Sequence, residues 1–296
     1  MSIRRLALVP FQLLAPRIRV GTALASVAWA VACSRPAPRA TGPNVVTITA
    51  TDYAFGMPDT IPAGLTTFRL VNQGKELHHA SLVRLGAGKT AADFQAGLAA
   101  AMKSHAPPPS WMTFPGGPNA VTLGDTGVAT QMLEPGSYVF VCWIPSLDGV
   151  PHVMKGMIHP LVVAAGAASS AAVAEPATDV TIKLTDYDFQ LSQPLTAGTH
   201  VVRVENTGAQ AHEVVIAALT PGKTLQDFIA WEAGGEKGPL PTSQWLGGVT
   251  TLDVGGHSQF TTTFAPGSYL LLCFWPDAKD GKPHIMHGMA KQITVT

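Results

Sequence analysis

The chain has 296 residues, of which only 13% are charged, and its formal net charge is zero. With bases balanced by acids and no basic stripe, it lacks the electrostatic footprint of a nucleic-acid binder or of a protein drawn to an anionic membrane surface. The length suits two domains, each large enough to bury its own core.

Residues 1–33 read as an export signal. Arg4, Arg5, Arg17 and Arg19 precede an apolar run from Val20 to Ala32, the order of a charged region, a short apolar region and a cleavage site. The run is short for a membrane span. Cys33, at the end of Ala-Val-Ala-Cys, resembles the lipidated cysteine of a bacterial lipobox, and ordinary cleavage after Ala30-Val31-Ala32 is the other reading. Arg4-Arg5 also resembles a twin-arginine signal. Each version exports the chain to the bacterial periplasm or cell envelope, with membrane attachment expected only through a lipid anchor at Cys33. Residues 34–43, SRPAPRATGP, read as a tether.

From there the chain is written twice. Thr51-Asp52-Tyr53, Ala63-Gly64, Asn72, His78, Gly88-Lys89-Thr90 and Asp93-Phe94 recur at an offset of 134 residues. Pro135 to Tyr138 and Cys142 recur at 131, and His152, Met154, Gly156 and Met157 at 132. A period this long means whole domains rather than a solenoid. The expected organisation is domain one at 44–164, an Ala-rich linker at 165–178 and domain two at 179–296.

Each copy opens on an alternating strand, VTITA or VTIKL. TTFRLVN and HVVRVEN follow as second strands, ended by Asn-x-Gly turns. HASLVRL and HEVVIAAL form third strands. A helix is then inserted, with Thr90 or Thr224 as N-cap and Asp93 or Asp227 three residues on. Phe94 and Phe228 are expected to pack these helices on the sheets, and Trp111 and Trp245 to anchor the returning loops. Tyr138–Cys142 and Tyr269–Cys273 are apolar strands after Pro-Gly turns, and LVV from Leu161 and QITVT at the end close each copy. This is an all-β pattern of two tandem Greek-key sandwiches, each with a short helical insertion.

The chemistry sits in the repeated elements. Each copy has a His after the Asn-x-Gly turn, then a Cys, a His and a Met five residues beyond that His. Two His, one Cys and a weak Met make the ligand set of a mononuclear copper electron-transfer site. In an oxidising compartment two cysteines ordinarily pair, but here each occupies the same place in a separate copy. A disulfide would have to join equivalent strands of two domains, and binding a metal as thiolate accounts better for an exported free Cys.

TDYxF, the Asn-x-Gly turn before a His, and PGSYxxxC followed by HxxxxM together resemble the cupredoxins, over 45–163 and again over 180–296. The resemblance implies a β-sandwich with copper at one end. It gives the ligand roles to His78, Cys142, His152 and Met157 in the first domain and to His212, Cys273, His284 and Met289 in the second. It also implies one copper per domain, electron transfer as the function and a redox protein as partner. Nine residues separate Cys142 from His152, and ten separate Cys273 from His284, longer than in familiar cupredoxins. Met154 and Met286 read as packing residues and fallback axial ligands. His79, next to His78 on a strand, is expected at the surface. His287 faces Lys155 in the alignment of the copies and is not shared site chemistry; His105, His159, His200 and His257 have no counterpart and stay unassigned.

Three functions fit such a chain. Electron transfer leads. Copper storage or delivery, or a metal-free binding module, is the alternative. A copper oxidase or reductase needs further histidines, but Trp143 and Phe274 follow the cysteines and no His-x-His occurs.

Overall fold

A computed structural model describes residues 42–104, 107–165 and 173–296. The expected signal segment with Cys33, nearly all of the tether, His105 and the middle of the linker lie outside them. Among the described residues no helix is long and apolar enough to cross a membrane.

The first copy supplies β1 (Asn44–Thr51), β2 (Ala54–Gly56), β3 (Thr60–Pro62), β4 (Gly64–Asn72), β5 (Ser81–Leu85), α1 (Ala91–Ser104), β6 (Met112–Gly116), β7 (Thr126–Leu133), β8 (Gly136–Val141) and β9 (Ile158–Ala164). The second supplies β10 (Val180–Thr185), β11 (Asp188–Leu191), β12 (Gly198–Asn206), β13 (His212–Leu219), α2 (Leu225–Ala233), β14 (Thr242–Leu252), β15 (His257–Phe264), β16 (Gly267–Leu272) and β17 (Ala290–Val295). The class is all-β, as the alternation predicts. In β1 the side chains of Val46, Ile48 and Ala50 are buried while their neighbours face outward, the period of a half-buried strand.

Within each copy one sheet is built on a parallel pair, β1 with β4 and β10 with β12. The other is built on antiparallel neighbours, β5–β8–β9 and β13–β16–β17. Apolar side chains fill each copy. Ile48, Phe68, Leu70 and Phe140 share the first core with Cys142 and Met157. Ile182, Val204, Phe260 and Leu271 share the second with Cys273 and Met289. The Pro-Gly turns before β8 and β16 are locked by tyrosines: the Tyr138 hydroxyl donates to the Glu134 carbonyl at 2.8 Å, and that of Tyr269 to the Ala265 carbonyl at 2.9 Å. Thr90 and Thr224 cap their helices with Asp93 and Asp227, as their spacing predicts. Phe94 and Phe228 are fully buried beneath those helices.

The sheets do not stop at the copy boundary. β7 pairs with β15 and β6 with β14, so the two sheets run to eight and nine strands. The segments after β6 and within β14 zip together through the bridges Pro118–Val249 and Val121–Leu246. This zipper needs glycine. Gly117 and Gly248 have φ of 132° and 119°, and a Cβ would meet the Ala80 carbonyl oxygen at 2.3 Å or that of Val214 at 2.2 Å. Each copy also lends side chains to the other: Trp275 packs edge-on against Phe114 at 4.9 Å, and Leu77 and Ile144 pack against the cluster around Phe228 and Trp245. The end of the expected linker is tied down as well. Glu175 pairs with Arg203 and with His257, which gives His257 a structural role.

Candidate metal centre

Three elements meet at one end of each sandwich. The Asn-x-Gly loop brings the first His, the end of β8 or β16 brings the Cys, and a 3-10 turn, His152–Lys155 or His284–His287, brings the second His. Asn72 fixes the first loop. Its buried amide donates to the Glu76 carbonyl at 2.8 Å and the Val121 carbonyl at 2.9 Å, and its oxygen accepts the Gly74 N–H at 2.9 Å. Asn206 makes the matching bonds to Gln210, Leu252 and Gly208. The 3-10 turns end on Gly156 and Gly288, at φ of 99° and 93°, a left-handed cap that suits glycine.

The structure thereby brings His78, Cys142 and His152 together, and separately His212, Cys273 and His284; in each group the nearest ligand atoms all lie within 4.8 Å of one another. All six are fully buried. His78 Nδ1 is 3.1 Å from His152 Nδ1, which is 3.4 Å from Cys142 Sγ. The second group repeats this at 2.9 and 3.3 Å. Both cysteines are free thiols, so the disulfide alternative is absent.

The outward nitrogens explain why the inward ones face each other. His78 Nε2 is 2.8 Å from Asp52 Oδ1, and His152 Nε2 is 2.8 Å from Glu76 Oε2. Burial works against both carboxylates, yet the Lys75 N–H and the His78 ring hold Asp52 below its ordinary pKa, and His152 and Tyr53 do the same for Glu76. An ionised carboxylate accepts, so Nε2 carries the proton and Nδ1 is bare. Burial also pushes His78 and His212 below the ordinary histidine pKa. Two bare imidazole lone pairs opposed in a buried pocket, with a sulfur beside them, repel unless a cation sits among them. The thiols point the same way. Burial pushes Cys142 up to about 12 and Cys273 also upward, and a cation is what would hold a thiolate here. The second sulfur also has a backbone partner, the Glu213 N–H, which reaches Cys273 Sγ at 3.5 Å. Imidazole, imidazole and thiolate are a copper donor set, and these residues fit that ion.

Met157 and Met289 are fully buried, each in the same core as its Cys. The Met157 carbonyl accepts the Cys142 N–H at 3.3 Å and its N–H donates to the His152 carbonyl at 3.0 Å. Met154 and Met286 differ from expectation: they are about half exposed (47% and 54%) rather than packed. Each lies on the solvent side of its 3-10 turn, whose buried side carries His152 and Val153 or His284 and Ile285.

His79 is a second correction. It does face away from the first core, but that face is covered by the second copy, and the ring is buried, with Nε2 accepting the Trp143 N–H at 2.8 Å. Glu213, its counterpart, is buried too and accepts the Phe274 N–H at 3.1 Å. Burial drives His79 down to about 3 and Glu213 up to about 7.

The two centres differ in one exchange. The position of Glu76 is Gln210 in the second copy, and that of Ser146 is Asp277. The carboxylate has changed places, and it no longer reaches the second His. Asp277 Oδ2 is held by the Tyr187 hydroxyl at 2.5 Å and the Gln210 amide at 3.0 Å, leaving His284 Nε2 3.9 Å away and without a hydrogen-bond partner. The first His keeps its anchor, with His212 Nε2 2.8 Å from Asp186 Oδ1. Sequence comparison noted Thr-Asp-Tyr in both copies without giving the aspartates a role.

Gly74 and Gly208 are the floor of the sites. A Cβ on Gly74 would lie 2.3 Å from His78 Nε2 and 2.4 Å from Asp52 Oδ1, and one on Gly208 2.6 Å from Asp186 Oδ1. Gly74→Ala is therefore expected to displace the His78–Asp52 pair and abolish metal binding in the first centre alone, with a strain cost of about 1–3 kcal/mol. Metal per chain, counted after dialysis, falls by half; an unchanged count contradicts the close packing.

Sandwich fold and donor set are cupredoxin-like in both copies. No family model and no curated protein matches the chain. Among solved structures it is similar to a dithionite-reduced auracyanin from Roseiflexus castenholzii, at 26% identity over 40% of this chain and 99% of that one, with a TM-score of 0.26. It is similar to auracyanin A, a "blue" copper protein from Chloroflexus aurantiacus, at 22% identity over 42% and 100%, with a TM-score of 0.28. It is also similar to a copper-containing nitrite reductase from Thermus scotoductus, at 10% identity over 85% of this chain and 61% of that one, with a TM-score of 0.23.

Proposed function

We propose that this protein is an exported electron carrier with one type 1-like copper site in each copy. His78, Cys142, His152 and Met157 would hold one ion, and His212, Cys273, His284 and Met289 the other. The observation that carries this reading is a pair of buried imidazoles opposed through Nδ1 beside a free thiol, built twice, with the first His of each pair anchored by an aspartate. Copper, when bound, supplies a one-electron couple. The chain supplies the rest. Asp52 and Asp186 hold the first His of each site in one tautomer and orientation, as outer partners of metal ligands do. Burial of all six donors keeps water away, and the surrounding sandwich leaves them little room to rearrange, which favours fast electron exchange.

A redox protein is the proposed partner. Leu147, Val150 and Met154 are exposed on the segment between Cys142 and Met157, an apolar landing beside the first centre. Export rests on the signal pattern of residues 1–33, and any membrane attachment on Cys33. An enzymatic role is the less favoured reading, because Trp143 and Phe274 follow the cysteines and the sequence has no His-x-His pair.

Redox titration of the copper-reconstituted protein, residues 34–296, tests the reading. Reversible one-electron bleaching of an intense thiolate-to-copper band is expected at both centres. Copper bound without a reversible couple would favour storage or delivery, and the absence of copper binding a metal-free module.

A further inference from the structure

The geometry points to a buried hydrogen-bonded bridge, centred on Asn119, that couples the two metal centres electronically within one chain. It rests on the copper reading above. His79 follows the ligand His78, and its ring accepts the N–H of Trp143, the residue after the ligand Cys142, at 2.8 Å. Glu213 follows His212, and its carboxylate accepts the N–H of Phe274, the residue after Cys273, at 3.1 Å. Each bridge residue is thus joined to its centre twice, by a peptide bond to one ligand and by a hydrogen bond to the neighbour of another. Asn119 lies between them. Its amide donates to Glu213 Oε2 at 3.2 Å, and on its other side the carbonyl of Pro118, the residue before it, accepts the N–H of Ala80, the residue after His79, at 3.0 Å. All three side chains are buried at the interface between the copies, none more than 6% exposed.

A structural role alone would ask less of these positions. The Trp143 and Phe274 N–H groups need acceptors once buried, but a serine, an asparagine or a carbonyl would serve. Instead a histidine and a glutamate, both costly to bury, occupy the same place in the two copies, on either side of the segment that carries Asn119. Asn119 itself is anchored by the Val214 and Val249 carbonyls at 3.2 and 3.1 Å, so the path is held by the zipper that joins the copies. Nothing is consumed when the bridge operates: one centre loses an electron and the other gains it, with no bond made or broken.

The test uses the copper-loaded protein in a Met157→Gln background, which separates the EPR signals of the two centres; Cys142→Ser and Cys273→Ser supply the reference spectra. A substoichiometric pulse of reductant is followed by freeze-quench EPR. A first-order redistribution between centres, independent of protein concentration, is expected. Asn119→Leu leaves Trp143 and Phe274 partnered but cuts the link, and should slow this phase about tenfold or more with both potentials and both spectra unchanged. If Asn119→Leu fails to fold, Glu213→Leu should slow the same phase, and Glu213→Gln should restore the rate. An unchanged rate in a loaded Asn119→Leu or Glu213→Leu protein overturns the bridge, as does exchange that scales with protein concentration. Failure of both centres to show a thiolate–copper signal fells the copper reading instead, and the bridge with it.

Discussion

Glu76→Gln is expected to raise the reduction potential of the first centre and leave the second untouched. The carboxylate of Glu76 lies 2.8 Å from His152 Nε2, and a negative acceptor there makes the imidazole a stronger donor, which favours Cu(II) over Cu(I). Glutamine keeps the shape and an accepting oxygen but removes the charge. Outer partners of metal ligands typically change affinity 10–100-fold, so if that loss falls on Cu(II) alone the shift is about 60–120 mV. The second centre lacks this bond, because Asp277 is engaged by Tyr187 and Gln210 while His284 Nε2 has no partner. In the unaltered protein the first centre should therefore have the lower potential. The double change Gln210→Glu with Asp277→Ser rebuilds the first arrangement in the second copy and should lower that potential by a similar amount. Voltammetry of the loaded proteins measures both. Coincident potentials in the parent, or a Glu76→Gln protein that loses stability without any shift, would show that the carboxylate only fills space.

Met157→Leu should keep the copper and its colour but raise the potential of the first centre, whereas Met154→Leu should be silent. Met157 is fully buried in the core that contains Cys142, and leucine is close enough in volume to repack at modest cost, under about 1.5 kcal/mol. The two His and the Cys carry most of the binding, so losing the weak sulfur donor mainly disfavours Cu(II). Met154 sits half exposed on the far side of the 3-10 turn, where substitution touches neither site nor core. A potential shift from Met154→Leu, with none from Met157→Leu, would reverse the axial assignment.

The strands, the capped helices and the His–Cys–His sets were legible because each leaves a local, repeated mark: alternation, a Thr-x-x-Asp box, identical residues in the same order at offsets of 131 to 134. What was missed is what repetition hides. Alternation placed His79 on the outer face but could not say that the second copy covers that face. The Gly116-Gly117 and Gly247-Gly248 pairs do recur at an offset of 131 residues, and they were the available sign that the copies dock on each other. Glu76 and Ser146 against Gln210 and Asp277 are mismatches one by one, and only their proximity to the same imidazole makes them a single exchange. The aspartates of Thr-Asp-Tyr were visible as shared residues, but their contact with the Asn-x-Gly loop across 26 positions is a tertiary fact.

The central claim is that this chain holds two complete and separate copper sites. Copper per chain and the intensity of the thiolate band, measured side by side for the parent, Cys142→Ser, Cys273→Ser and the double variant, test it most directly. The account predicts two coppers in the parent, about half of the band in each single variant, and none in the double variant. A single variant that loses the whole band, or a parent that binds one copper, would contradict it.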